Sequence, residues 1–129
     1  MKLTRTMQDE LLSHARSEAP QEACGVLLAK LGEREPHVWL PMLNAAISSM
    51  FFEFDPEELV ALHRQMDIRG EEIIGVWHSH VATPAEPSGV DARCMAPGLT
   101  HVIVSLLDDT VRAWTIKDNT ISEEEVLVE

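Results

Sequence analysis

From Ala23 to Leu31 the chain is nearly all apolar, with a glycine early in the run, and reads as a buried strand. A polar turn, Gly32 to Glu35, precedes a second strand at His37 to Leu43, so the two form a hairpin. Before it, Met7 to Ala19 carries Met7, Leu11, Leu12 and Ala15 on one helical stripe. Thr6 with Asp9 can cap that helix, and Pro20 stops it. A second helix has Asp55 as N-cap, Pro56 in its first turn, an apolar stripe of Leu59, Leu62 and Met66, and Gly70 at its end.

Ile73 to Trp77 follows as a short buried strand, then a polar loop from Val81 to Pro87. Ser88 to Met95 reads as a short helix stopped by Pro97 and Gly98. Val102 to Leu107 and Val111 to Ile116 are strands joined by a turn at Asp108-Asp109-Thr110, and Ile121 to Val128 adds an edge strand. The expected fold is α/β in the α+β sense: one domain over residues 1–129, with a mixed sheet flanked by helices.

The 10 basic and 22 acidic residues sum to −12 with His neutral. Such a chain repels phosphate backbones and anionic membrane surfaces, so neither nucleic acid nor membrane is expected as a partner. No apolar run reaches the length of a membrane span, and the charged stretch Met1 to Arg16 has no apolar core of a secretory signal. Cys24 and Cys94 are too few for a disulfide framework and fit free thiols in a cytoplasmic protein.

The chemistry concentrates in Gly75-Val76-Trp77-His78-Ser79-His80 and Pro87-Ser88-Gly89-Val90-Asp91. Alternate side chains of a strand share a face, so His78 and His80 project together while Trp77 turns into the core. Two imidazoles so placed can reach one ion, and Asp91, in the first turn of the next helix, can supply a third ligand. Two histidines and a carboxylate leave a tetrahedral ion one open position, as catalytic zinc requires. Ser88 and Asp91 also fit a helix capping box, a reading compatible with the first. Cys94, three residues after Asp91, is an alternative fourth ligand that would make the site structural, and a two-His-one-carboxylate iron site is a further alternative. Hydrolysis also needs a carboxylate base. Glu22, Glu53 and Glu86 all lie near apolar segments, and spacing does not choose among them.

The order Glu22, then His78-Ser79-His80, seven residues, Ser88, two residues, Asp91 resembles the JAMM (MPN+) metallopeptidases, in their small bacterial branch. The stretch from Pro20 to Leu28, Phe54-Asp55-Pro56 and Ile73-Ile74-Gly75 extend the likeness, which runs from about Leu3 to Ile116. The resemblance implies a cytidine-deaminase-like fold, Zn2+ on His78, His80 and Asp91, Glu22 as general base and acid, and Ser88 on the oxyanion side. It implies hydrolysis of the peptide or isopeptide bond after the C-terminal Gly-Gly of a ubiquitin-like protein, in bacteria a sulfur-carrier protein. A phage-tail or cell-wall processing peptidase of the same fold, or a non-catalytic MPN-type interaction module, is the alternative. Where the family usually has proline after the second histidine this chain has Val81, and Ala29 stands in place of a glycine often found at the end of the family's first strand; neither change removes a ligand. A narrow channel suits a tail without side chains, and Asn44 to Phe52 is the candidate for one wall.

Overall fold

The computed structural model describes residues 1–46 and 53–129. Residues 47–52, most of the proposed channel wall, lie outside the described residues.

The described elements run β1 (Lys2–Leu3), α1 (Arg5–Glu18), β2 (Cys24–Lys30), β3 (Val38–Met42), α2 (Pro56–Arg69), β4 (Glu71–His80), α3 (Gly89–Cys94), β5 (Thr100–Ser105), β6 (Thr110–Lys117), β7 (Thr120–Glu124) and β8 (Leu127–Val128). Six of the strands form a mixed sheet in the order β3-β2-β4-β5-β6-β7. Only β4 and β5 pair in parallel there, joined by the crossover that contains α3; the other pairs are antiparallel. A small parallel pair, β1 with β8, ties the two ends of the described chain together.

Strand periodicity explains the apolar run in β2. Cys24, Val26 and Leu28 face one side, where they pack with Met42, Leu62 and Met66 beneath α2. Ala23 and Leu27 face the other, with Trp77, Val102, Val104 and the Met7, Leu11, Leu12, Ala15 stripe of α1. The strand is apolar throughout because helices cover both its faces.

The mixed sheet flanked by helices is as expected, with local differences. The cap of α1 is Thr4, whose side chain accepts from Met7 N at 3.0 Å, rather than Thr6. Strand β4 runs from Glu71 to His80, twice the length of the buried apolar run Ile73 to Trp77, and ends with His78 and His80 on one face as expected. The stretch Ile121 to Val128 splits between β7 and β8, and β1 carries no pattern that would announce it. Asp55 caps α2 through Glu58 N, Pro56 opens it, and Gly70 closes it in the left-handed conformation at φ 67°. Among the described residues no helix is long and apolar enough to cross a membrane.

One glycine decides how the core closes over the site. The Trp77 indole lies across β2 at Gly25 and donates from Nε1 to Leu40 O on β3 at 3.3 Å. A Cβ at Gly25 would stand 2.0 Å from Leu40 O and 2.4 Å from Trp77 Nε1. Backbone and a fully buried ring cannot both yield, so Gly25→Ala is expected to cost about 3 kcal/mol of stability. Urea unfolding measures it; a loss within about 0.5 kcal/mol would show that the ring is not held there.

Candidate functional site

Strand β4 places Trp77 toward α1 and turns Val76, His78 and His80 to the other face, toward α2 and α3. Strand β2 lies antiparallel to it with Cys24 opposite His78. Glu22, two residues before Cys24, therefore arrives beside His78, with its Oε1 4.0 Å from His78 Nε2. Two interactions hold that approach. Ser79 sits between the histidines but faces the other way; its Oγ accepts from Ala23 N at 2.8 Å, and its own N–H donates to Ala23 O at 2.9 Å. Asn44 Nδ2 donates to Glu22 O at 2.9 Å.

Asp91 comes from α3. Ser88 caps this helix: its Oγ accepts from Asp91 N at 3.1 Å, while Ser88 N donates to Asp91 Oδ2 at 2.9 Å. The capping box expected from the sequence is present, and it aims the carboxylate back at the sheet. Asp91 Oδ1 is 3.2 Å from His78 Nε2, Oδ2 is 2.9 Å from His80 Nε2, and the two Nε2 atoms are 3.2 Å apart. Ligand atoms about 2.1 Å from a tetrahedral ion lie roughly 3.4 Å from one another, so this triangle is close to one face of such a shell. Glu22, His78, His80 and Asp91 are all buried, while Ser88 is half-buried with its hydroxyl proton uncommitted by the cap.

The donor set fits a cation. His80 Nδ1 donates to Pro84 O at 2.7 Å, so a neutral His80 turns a lone pair from Nε2 toward the Asp91 oxygen. Lone pairs that converge at such distances repel unless a proton or a metal ion stands between them. Glu22 Oε2 is buried and has no hydrogen-bond partner among the described residues, so a polar group is due there as well.

Among the described residues, Glu22, His78 and His80 have ligand atoms that all lie within 4.8 Å of one another and could hold an ion. The contacts of Asp91 with both imidazoles make His78, His80 and Asp91 an overlapping second set. The second has the shorter distances and touches both imidazoles; Glu22 at 4.0 Å is better placed to reach a group bound to the ion than the ion itself. Cys94 is exposed and is not in either set, and Glu86 is engaged at the surface with Arg112. Glu53 lines an apolar cavity of about 270 Å³ that opens beside His78 and Asp91 between Val76, Val90, Leu99 and Ile103.

Electrostatics separate the two carboxylates. Burial pushes the Glu22 carboxyl up to about 7, with the nearby His80 opposing and Asp91 adding to the rise. Burial also works against charge on Asp91, but hydrogen bonds from His78 and His80 outweigh it and hold that carboxyl well below the usual range. Burial lowers His78 below the ordinary imidazole value. It works the same way on His80, where the hydrogen bonds to Asp91 and Pro84 overcome it and leave the value raised. One carboxylate is thus a permanent anion facing the imidazoles, and the other is poised to exchange a proton near neutral pH.

Residues 4–117 match the family described as prokaryotic homologs of the JAB domain. The chain belongs to that family. A CysO-cysteine peptidase of Mycobacterium tuberculosis is 36% identical over 122 residues, covering 92% of this chain and 84% of the relative. A desampylase of Haloferax volcanii is 34% identical over 111 residues, covering 81% and 80%. The solution structure of a Desulfitobacterium hafniense protein superposes with a TM-score of 0.87 at 33% identity, over 99% of this chain and 92% of that one. The resemblance to the bacterial JAMM branch is therefore borne out, and with it a hydrolase of the peptidase class with a site for a metal ion.

Strand alternation and helix placement led to His78, His80 and Asp91, and the family resemblance added Glu22 and Ser88; the structure brings all five together. Sequence reasoning missed Ser79 and Asn44, which position Glu22. Ser79 had a signal, since a serine between two inward histidines must face the opposite way, toward the neighbouring strand's backbone.

Proposed function

We propose that this JAB-family chain is a zinc peptidase that hydrolyses the peptide or isopeptide bond after the C-terminal Gly-Gly of a ubiquitin-like sulfur-carrier protein. The observation that carries the reading is the meeting of three close ligand-type side chains with a buried carboxylate, Glu22, that stands 4.0 Å from His78 Nε2. Zinc is favoured over iron because hydrolysis needs a Lewis acid and no change of oxidation state. Relatives of this chain are named as a CysO-cysteine peptidase and a desampylase. Their names support a small protein or its conjugate as substrate.

In this reading His78, His80 and Asp91 hold the zinc. When bound, zinc supplies a water acidified to a pKa of about 7 and polarises the scissile carbonyl. Glu22 takes the proton of the attacking water and returns it to the departing amine; a carboxyl poised near 7 suits both transfers. Ser88 donates its hydroxyl proton to the carbonyl oxygen as that atom gains charge, while its Oγ lone pair remains on Asp91 N. One domain spanning residues 1–129 would carry all of this in the cytoplasm, where Cys24 and Cys94 stay reduced.

The test is cleavage of a ubiquitin-fold carrier ending in Gly-Gly and fused through that tail to a reporter peptide. Mass spectrometry of the products should show a single cut after the second glycine, lost on chelation and restored by zinc. A cut elsewhere would overturn the substrate, and chelator-insensitive cleavage would overturn the metal. Zinc-loaded protein that binds the carrier without cutting it would make the chain an interaction module.

A further inference from the structure

The metal reading leaves one device unused: the way the loop between β4 and α3 is fastened. Pro84 O accepts from His80 Nδ1 at 2.7 Å and from Glu86 N at 2.8 Å, so this carbonyl sets the ring orientation of His80. The residues on either side of Pro84 are clamped from below. Ser105 Oγ donates to Thr83 O at 2.7 Å and accepts from Leu107 N at 3.1 Å. The Trp114 indole Nε1 donates to Ala85 O at 2.9 Å, and Ala85 is buried. Arg112 stacks over the Trp114 ring at 4.8 Å and reaches Glu86 at 3.1 Å.

Register explains why these side chains converge. Ser105 stands opposite Thr110, Ile103 opposite Arg112, and His101 opposite Trp114, so Ser105, Arg112 and Trp114 share one face of the β5–β6 pair. The Arg112–Glu86 contact is exposed and adds little. The bonds from Ser105 and Trp114 end on backbone carbonyls that bracket Pro84, so moving either one moves the acceptor of His80.

We propose that Ser105 and Trp114 are positioning residues for the metal: they fix the Thr83–Ala85 backbone so that Pro84 O holds His80 in the Nδ1–H form, with Nε2 free to coordinate. The proposal rests on His80 being a ligand. Losing an outer partner of a ligating histidine costs roughly 10-fold or more in metal affinity.

The experiment compares Trp114→Phe and Ser105→Ala with the parent and with Trp39→Phe, a control that loses an indole bond to Glu10 on the α1 side of the sheet. Zinc dissociation constants come from chelator competition, and nitrogen-15 shifts of the metal-free proteins report the His80 tautomer. Trp114→Phe keeps the ring and is expected to bind zinc about 10-fold more weakly, with His80 in mixed tautomers. Its metal-free melting temperature should move no further than that of Trp39→Phe. Ser105→Ala should act the same way; should it fail to fold, Trp114→Phe alone decides. Zinc affinity within about twofold of the parent, with the Nδ1–H form intact, would overturn the proposal while leaving the metal site standing. A parent that binds no zinc would overturn both.

Discussion

Glu22→Gln is expected to lower the cleavage rate by about 10³-fold to 10⁴-fold and, in the same protein, to raise the stability of the metal-free fold. The first effect follows from removing the group that takes and returns the proton. The second follows from burial. The Glu22 carboxyl is raised from 4.5 to about 7, so the fold holds its proton more tightly than the unfolded chain does. Below about pH 4.5 the residue is neutral in both states and costs nothing. Between 4.5 and 7 the unfolded chain ionises first, and stability falls as pH rises. Above 7 the full penalty is present, up to about 3 kcal/mol at 1.36 kcal/mol per unit. Glutamine carries no such penalty, so chelated Glu22→Gln should exceed the parent in stability at pH 8 and match it near pH 4. Urea titrations at the two pH values measure the difference. Equal stability at pH 8 would mean that Glu22 is not held in a desolvated place. A variant that still cuts at the parental rate would remove Glu22 from the chemistry.

Asp91→Asn is the second large effect. The amide oxygen of asparagine can still accept from Ser88 N, so the cap of α3 is largely kept, but the metal-free fold loses the buried anion that faces His78 and His80 and should be roughly 3 kcal/mol less stable at pH 7. The ligand is gone with the charge. Zinc affinity should fall by roughly 10³-fold, since a carboxylate ligand is replaced by a weak neutral donor. The parent should gain about 4 kcal/mol of stability from free zinc at a thousand times its dissociation constant, and Asp91→Asn almost none at that concentration. Thermal melts with and without zinc check this directly. A variant as strongly stabilised as the parent would show that Asp91 serves only the helix.

What could be read from the sequence was what rests on local chemistry. Helix α2 declared itself through Asp55, Pro56 and Gly70 because caps act within one turn. The capping box of Ser88 and Asp91 was legible for the same reason, and it turned out to aim the carboxylate as well. At α1 the cap expected at Thr6 lies at Thr4, because an apolar stripe that begins at Met7 does not locate the first turn of the helix. Only the apolar run of β4 was delimited, Ile73 to Trp77, because Glu71 and Glu72 at its start carry no hydrophobic period. The small β1–β8 pair was invisible, since two-residue strands carry no period.

The site divides the same way. His78 and His80 share a face by the alternation of one strand, and Asp91 is brought in by a short crossover. Spacing left Glu22, Glu53 and Glu86 open and only the family resemblance named Glu22; its approach to His78 is a property of the sheet, set when β2 pairs with β4 and Cys24 falls opposite His78. Asn44 and Ser79, which hold that approach, act through backbone atoms of residues far away in sequence; alternation gives the face of Ser79, but nothing local gives the partner of either.

An ion held by His78, His80 and Asp91, with Glu22 outside its shell, has a distinct signature in an anomalous difference map recorded at the zinc edge from the loaded protein. One peak is expected about 2.0–2.2 Å from His78 Nε2, His80 Nε2 and an Asp91 oxygen, with the Glu22 oxygens beyond bonding distance. A peak bonded to Glu22 and both histidines, with Asp91 turned away on its helix, would overturn this ligand set.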